Sequence, residues 1–274
     1  MNITDSVAHN KLIVNSLPKS GTHLLKSLIS HLGVYDIGSF YLTRDLGEDR
    51  AIETGDVLVG ISDPRPINII KLRGLFSSVS ERGYVVGHVA YNKEFTILLK
   101  SSGFKTIIII RDPIDVALSY VNYMAKRSDH YLNSYFCSLG ERDRLDFVLN
   151  GSAEYLSPGN FVGINEQYES FRGWLDVDDC CVVTFEDLIG NRGGGDQSKQ
   201  LTTISKIVSF LGINTHDSVI ESISHQVFDV NSPTFFRGEI GSARKALSNA
   251  LFNYSNELAQ RAINIYAEFV CRAK

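Results

Sequence analysis

The chain has 274 residues, 43% of them hydrophobic and 21% charged, with a formal net charge of −4. That composition suits a globular chain with one large core, and the charge excludes a general nucleic-acid binder, which needs a basic surface to offset phosphates. The strongest apolar run, Thr106–Ile110, is far short of the roughly 20 residues of a membrane helix, and the polar Met1–Lys11 has no signal-peptide core.

Lys11–Ser16 (KLIVNS) reads as a short strand. Thr22–Leu32 (THLLKSLISHL) has apolar residues at helical spacing, with Gly33 where a C-terminal glycine stop belongs. Residues 36–82 show no firm periodicity; glycines, prolines and scattered charges, Ser62–Pro66 (SDPRP) among them, suit a solvated connection. A second strand is predicted at Tyr84–His88 and a helix over Glu94–Lys100. Lys105–Arg111 (KTIIIIR) follows; its four isoleucines without alternation fit a central strand buried on both faces of a parallel sheet. Asp112–Pro113 opens the next helix, with proline in its first turn. Cys180–Phe185 (CCVVTF) is a fourth buried strand, with Cys180 and Cys181 pointing to opposite faces. The polar, glycine-rich Gly190–Ser198 reads as a mobile surface connection. Helices are predicted over Leu201–Leu211, Asp217–His225 and Ser255–Phe269.

Strands alternating with helices predict one α/β domain spanning 1–274, with a central mainly parallel sheet flanked by helices. The four cysteines (Cys137, Cys180, Cys181, Cys271) have no CxxC pairing and no histidines at zinc-ligand spacing. The reading is a reduced, cytoplasmic protein.

Two segments carry chemistry. Ser16–Leu24 (SLPKSGTHL) lies between a strand and a helix, where backbone N–H groups converge on an anion. There Gly21 permits close approach, Lys19 supplies a point charge, and Ser20 and Thr22 add hydroxyls. The pattern is not the triphosphate loop GxxxxGK[ST], because the lysine precedes the glycine. Arg111–Tyr123 (RDPIDVALSYVNY) again opens a helix straight after a strand, so both segments fall at the sheet edge where ligands bind. Arg111 can clamp a phosphate with its planar fork, and Ser119 lies two turns into the helix. Each segment alone has a bland alternative: a capped turn for the first, an Arg–Asp cap pair for the second.

Together they resemble the family of sulfotransferases that use 3′-phosphoadenosine 5′-phosphosulfate (PAPS). Pro18–Thr22 (PKSGT) resembles the family's 5′-phosphosulfate loop, and Arg111, Asp112, Pro113, Asp115 and Ser119 its 3′-phosphate motif. Val183–Leu188 (VTFEDL), Phe210–Gly212 (FLG) and Phe235–Gly241 (FFRGEIG) look like three further family motifs. The resemblance implies a sulfotransferase fold related to P-loop nucleotide kinases, PAPS as donor with the desulfated nucleotide PAP as product, no metal, and a small-molecule acceptor. It places Lys19, Ser20, Gly21, Thr22, His23, Arg111, Ser119, Phe185, Phe228, Arg237 and Gly238 around the donor. Departures are Leu24 in place of an adenine-packing tryptophan, Phe236 in place of a basic residue, and Ser242–Ala243 in place of Asp–Trp.

Acceptor activation needs a base. His9, His130 and His216 lie in polar surroundings and read as exposed, while His31 and His225 sit in or end helices. His88 follows the strand Tyr84–Gly87, at the ligand edge, and stands in the place of the family's catalytic histidine. His23, inside the phosphate loop, is its rival. Lys19 is expected to hold the 5′-phosphosulfate and stabilise the leaving oxygen. The alternatives are a P-loop-type small-molecule kinase, which the missing GK[ST] opposes, and a non-catalytic nucleotide-binding module, suggested by Leu24 and the altered C-terminal loop. The overall look is similar to bacterial, including cyanobacterial, enzymes that tailor natural products. It points to a polar acceptor such as a saxitoxin-type guanidinium alkaloid, sulfated at O or N. The acidic residues of 36–82 (Asp45, Glu48, Asp49, Glu53, Asp56, Asp63) would suit a cation, although a solvated loop accounts for them better. The reading carries no nucleic-acid or membrane partner, and oligomeric state is not readable.

Overall fold

A computed structural model describes residues 11–33, 35, 40–152, 160–228 and 239–274. The strands are β1 (Lys11–Ser16), β2 (Phe40–Leu42), β3 (Asp56–Val59), β4 (Arg65–Asn68), β5 (Tyr84–Gly87), β6 (Phe104–Ile110) and β7 (Cys180–Thr184). The helices are α1 (Thr22–Leu32), α2 (Ile69–Ser77), α3 (Lys93–Ser101), α4 (Pro113–Lys126), α5 (Asn133–Ser138), α6 (Glu141–Asn150) and α7 (Ile164–Phe171). They continue with α8 (Phe185–Leu188), α9 (Gln197–Leu211), α10 (Asp217–Ser224), α11 (Ser242–Ala246), α12 (Asn249–Leu258) and α13 (Gln260–Ala273).

Five strands form a parallel sheet in the order β2-β5-β1-β6-β7; β3 and β4 pair as a separate antiparallel hairpin. The chain runs outward from β1 to one side, then crosses to the other through β6. The order therefore reverses at β1, and a crevice opens beyond the carboxyl ends of β1 and β6. The isoleucine run explains why β6 is central. Ile107 and Ile109 enter the core on the side of α1, α9 and α10, and Ile108 and Ile110 enter the core of the opposite face. Cys181 and Cys180 divide the same way, as their adjacency predicted.

Three expectations need correction. Ser255–Phe269 is not one helix but the meeting of α12 and α13 at buried Ala259. Asn165 fills the break: its amide donates to the Leu258 carbonyl (2.8 Å) and its oxygen accepts from Ala262 N–H (3.2 Å), serving groups that a helix end leaves unpaired. Gly190–Ser198 lies mostly at the surface, but it holds a 3-10 turn at Asn191–Gly193 and the first residues of α9 rather than running as a bare loop. α9 begins four residues before the predicted start, capped by Asp196, which accepts from Lys199 N–H at 2.9 Å. A side chain at Gly190 would collide with Gln200. Residues 40–82 hold a strand, a hairpin and a helix, and most of their charges pair locally: Arg50 forks onto Asp56 (2.7 and 2.8 Å), and Glu48 takes Arg50 and Lys71.

Candidate active site

A cleft of about 990 Å³ opens at the carboxyl ends of β1 and β6. One wall is the loop from β1 into α1. Lys19 has φ of 70°, the one positive value for a non-glycine among the described residues, and Gly21 follows at φ 105°. Gly21 is required there: a Cβ would lie 2.8 Å from the Phe185 ring and 3.1 Å from Ile109. Gly21 caps α1 without any side-chain bond, so the first amides of the helix point at the loop for an anion to use. Ser20 and Thr22 are buried beside them.

Arg111 follows directly on the neighbouring strand β6. Its guanidinium is buried, lies 4.1 Å from the Phe185 ring centre, donates to the Glu239 carbonyl (3.0 Å) and stands 3.7 Å from Asp115. Among the described residues its Nε has no hydrogen-bond partner. A buried donor left bare costs on the order of 1–3 kcal/mol, which an anion in the cleft would recover. The cap of α4 belongs to Asp112, which accepts from Ile114 and Asp115 N–H groups, so Arg111 is not spent on an Arg–Asp cap pair. Asp115 instead accepts from Gly241 N–H (2.8 Å), Ala243 N–H (2.8 Å) and the Ser242 hydroxyl (3.2 Å), tying the C-terminal segment to the same helix. Ser119 lines the cleft one turn further along α4.

His88 sits where β5 ends. Its Nδ1 lies 2.8 Å from the Ser16 carbonyl, which can only accept, so Nδ1 carries the proton and Nε2 keeps the lone pair. The Ser16 hydroxyl is 3.3 Å from the same nitrogen and bonds Thr22 at 2.7 Å. Burial, against the pull of the Ser16 carbonyl, holds the imidazole down at about 4, with Lys19 and His23 adding to the effect. His88 is therefore neutral near pH 7 and able to take a proton. His23 also lines the cleft, more exposed, its pKa lowered by partial burial and by Lys26 and Lys19. Burial, Arg111 and Arg127 lower the Lys19 ammonium to about 8.

The cleft thus gathers Lys19, Gly21, Thr22, His23, His88, Arg111, Ser119, Phe185 and Phe228. Phe228 carries the Arg192 guanidinium 5.1 Å from its ring centre. Arg237 and Gly238 lie outside the described residues. His130 is not simply exposed: it lines the cleft, stacked 4.7 Å from Tyr131 and edge-on to Tyr123.

Sequence reasoning missed the groups that hold these in place. Buried Asn15 donates to the Val89 carbonyl (2.9 Å) and accepts from Val89 N–H (3.0 Å), fixing the peptide next to His88. Trp174 donates to the same carbonyl at 3.2 Å. The Gly60 and Ile61 amides bond the His88 carbonyl, which docks the β3–β4 hairpin on the strand end that bears the histidine. Half-buried Glu186 accepts from Asp112 N–H (2.9 Å) and the Tyr266 hydroxyl (2.8 Å), and the Tyr168 hydroxyl donates to the Arg111 carbonyl. A lone asparagine in KLIVNS was the only available signal, since a polar residue inside a buried strand needs partners.

Solved structures share this fold. Mouse sulfotransferase SULT7A1, crystallised with PAP, superposes at a TM-score of 0.61 with 18% identity, covering 97% of this chain and 88% of that one. Retinol dehydratase in complex with retinol and PAP gives 0.57 and 13%, covering 92% and 81%; its complex with androsterone and PAP gives 0.54 and 13%, covering 94% and 81%. No curated protein sequence matches. The sulfotransferase domain model matches residues 9–234, with the phosphate loop, His88 and Arg111 all inside the match, and the chain belongs to the sulfotransferase family.

Proposed function

We propose that the protein transfers the sulfuryl group of PAPS to a hydroxyl, or to an amino or guanidino nitrogen, of a small polar acceptor, leaving PAP. The carrying observation is Arg111: a buried guanidinium with a bare Nε, separated from the Gly21 loop by the single Phe185 ring. That spacing suits a nucleotide with phosphates at both ends, and PAP is the nucleotide present in the similar solved structures. The α1 amides with Lys19 would hold the 5′-phosphosulfate, and Arg111 with Ser119 the 3′-phosphate. Ser20, Thr22 and His23 would add contacts to the 5′ group, and Phe185 and Phe228 would flank the nucleoside.

Transfer is an in-line displacement governed by positioning and by charge on the departing oxygen. His88 Nε2 takes the acceptor proton as the acceptor–sulfur bond forms. Lys19 stabilises the phosphate oxygen that departs with the electron pair of the broken S–O bond. His23 is the weaker base candidate, because no backbone carbonyl fixes its tautomer.

Beyond His88 the cleft is lined by Tyr41, Tyr120, Tyr123 and Tyr131, by the Arg44–Asp63 and Arg127–Asp129 ion pairs and by Asp45. Such walls favour a polar acceptor with cationic character over a purely apolar one, and a saxitoxin-type guanidinium alkaloid is a concrete instance. Four free cysteines fit a cytoplasmic setting. The test is incubation with PAPS and a panel of hydroxylated and guanidino acceptors, read by mass spectrometry. A gain of one sulfuryl group with stoichiometric PAP supports the reading. Phosphoryl transfer from ATP, or no transfer with intact nucleotide binding, would replace it with a kinase or a binding module.

A further inference from the structure

One buried hydroxyl touches both the histidine and the phosphate loop. Ser16, the last residue of β1, is fully buried. Its Oγ lies 2.7 Å from Thr22 Oγ1 and 3.3 Å from His88 Nδ1, and it has no third partner among the described residues. The direction of these bonds follows from the protons available. Nδ1 already carries one, shared between the Ser16 carbonyl at 2.8 Å and the Ser16 hydroxyl, so the hydroxyl accepts from the ring. The hydroxyl's own proton then has one acceptor in reach, Thr22 Oγ1. The reverse order would bury the Ser16 proton without an acceptor, which is unfavourable. Thr22 is left with a proton to donate. It opens α1, lines the cleft, and stands among amides that have no partner within the helix, where an anion would accept that proton.

We propose that Ser16 is a positioning residue that relays the charge of the donor's 5′-phosphate to the base His88. The inference rests on the PAPS reading above. The chain runs from His88 Nδ1–H to Ser16 Oγ, from the Ser16 O–H to Thr22 Oγ1, and from the Thr22 O–H to a phosphate oxygen. Each bond polarises the next. Negative charge at the far end favours positive charge on the imidazole, so the base is strongest when the donor is seated. During transfer the acceptor proton goes to Nε2 as the acceptor oxygen or nitrogen bonds to sulfur. The S–O bond to the 5′-phosphate breaks, and its electron pair stays on the phosphate oxygen. That oxygen gains negative charge as the imidazole gains positive charge, and the chain joins the two; no proton travels along it. Ser16 acts only through its neighbours, and its carbonyl keeps the His88 tautomer even where the hydroxyl is removed.

The experiment follows the His88 Nδ1–H proton by nuclear magnetic resonance in histidine-labelled protein at neutral pH, with and without saturating PAP. The signal is assigned by its absence from His88→Ala. In wild type it should move downfield when PAP binds, because its hydrogen bond strengthens. In Ser16→Ala that movement should be largely lost, while PAP affinity by calorimetry stays within about threefold, since the hydrogen bond removed is not one made to the nucleotide. Thr22→Val interrupts the chain at its next link and should lose the movement as well, and the double variant should lose no more than either alone. If Ser16→Ala does not fold, Thr22→Val carries the comparison. A signal that stays still in wild type, or moves as far in the variants, overturns the relay and leaves the donor reading intact. A larger loss of PAP affinity in Ser16→Ala makes Ser16 part of the donor site and overturns the relay too. A wild type that binds no PAP overturns both.

Discussion

The two ends of the cleft are built differently. The donor end hangs on the ends of adjacent parallel strands: the Lys19–Gly21 loop follows β1, and Arg111 follows β6. Its positions are set by sheet register and by helix starts, so short contiguous motifs encode them. The acceptor end is assembled from segments outside the sheet: the β3–β4 hairpin with Gly60 and Asp63, the Arg44 turn, and the stretch between α4 and α5 with Asp129–Tyr131. Its walls are held by pairs distant in sequence, such as Arg44 with Asp63 and with Tyr131. A sheet edge can thus be conserved as a phosphate site while the facing loops change substrate, a division common where function sits on loops carried by a rigid scaffold. His88 stands on the boundary, on a strand end but bonded through its carbonyl to the hairpin.

The largest effect should fall on that boundary. His88→Ala is expected to lower kcat by about 10²–10⁴-fold with PAP affinity nearly unchanged, measured by steady-state kinetics and calorimetry. A full loss of PAP binding would place the histidine in the donor end instead. Lys19→Ala should lower kcat by about 10²–10³-fold, well beyond its effect on PAP affinity, because the leaving-group charge develops in the transition state. Equal losses would reduce Lys19 to a binding residue.

A pH profile sharpens the same contrast, since kcat/KM reports groups of the free enzyme. Losing the Lys19 proton removes the positive charge that the donor needs, so kcat/KM should fall as pH rises through about 8. Gaining a proton removes the His88 base, and that happens only as pH falls toward about 4, so the profile should be level across pH 6–7.5. The alkaline fall should be about tenfold between pH 8.5 and 9.5. An acid limb near 6.5 would mean the imidazole is not buried in the working protein. The smallest donor-side effect belongs to the acceptor end: Arg44→Ala should shift acceptor KM while leaving PAP affinity within about twofold. A larger change in PAP affinity would show the ends are not separable.

The same division explains what the sequence disclosed. β1, α1 and β6 were legible because local pattern and burial agree, with apolar runs, a glycine stop and an unbroken isoleucine strand. That Lys19, Gly21, Arg111 and Ser119 would gather at one cleft was legible through motif spacing. Asn15, Trp174 and Glu186 were not, because each acts across the fold, on Val89 or on Asp112, and no local pattern records its partner. Ser16 lay inside a segment already read for Lys19 and Thr22, and its meeting with His88 is a tertiary fact. The α12–α13 break was hidden because Asn165, far away in sequence, satisfies it.

The central claim is that Arg111 reads a 3′-phosphate beyond the Gly21 loop. Calorimetric titration of wild type and Arg111→Ala with PAP and with adenosine 5′-phosphate tests it directly. A charge-assisted hydrogen bond contributes roughly 1.5–3 kcal/mol, so wild type should prefer PAP by at least about two orders of magnitude. Arg111→Ala should weaken PAP by about 10–150-fold and leave adenosine 5′-phosphate nearly unaffected. A wild type that binds the two nucleotides equally well would contradict the account.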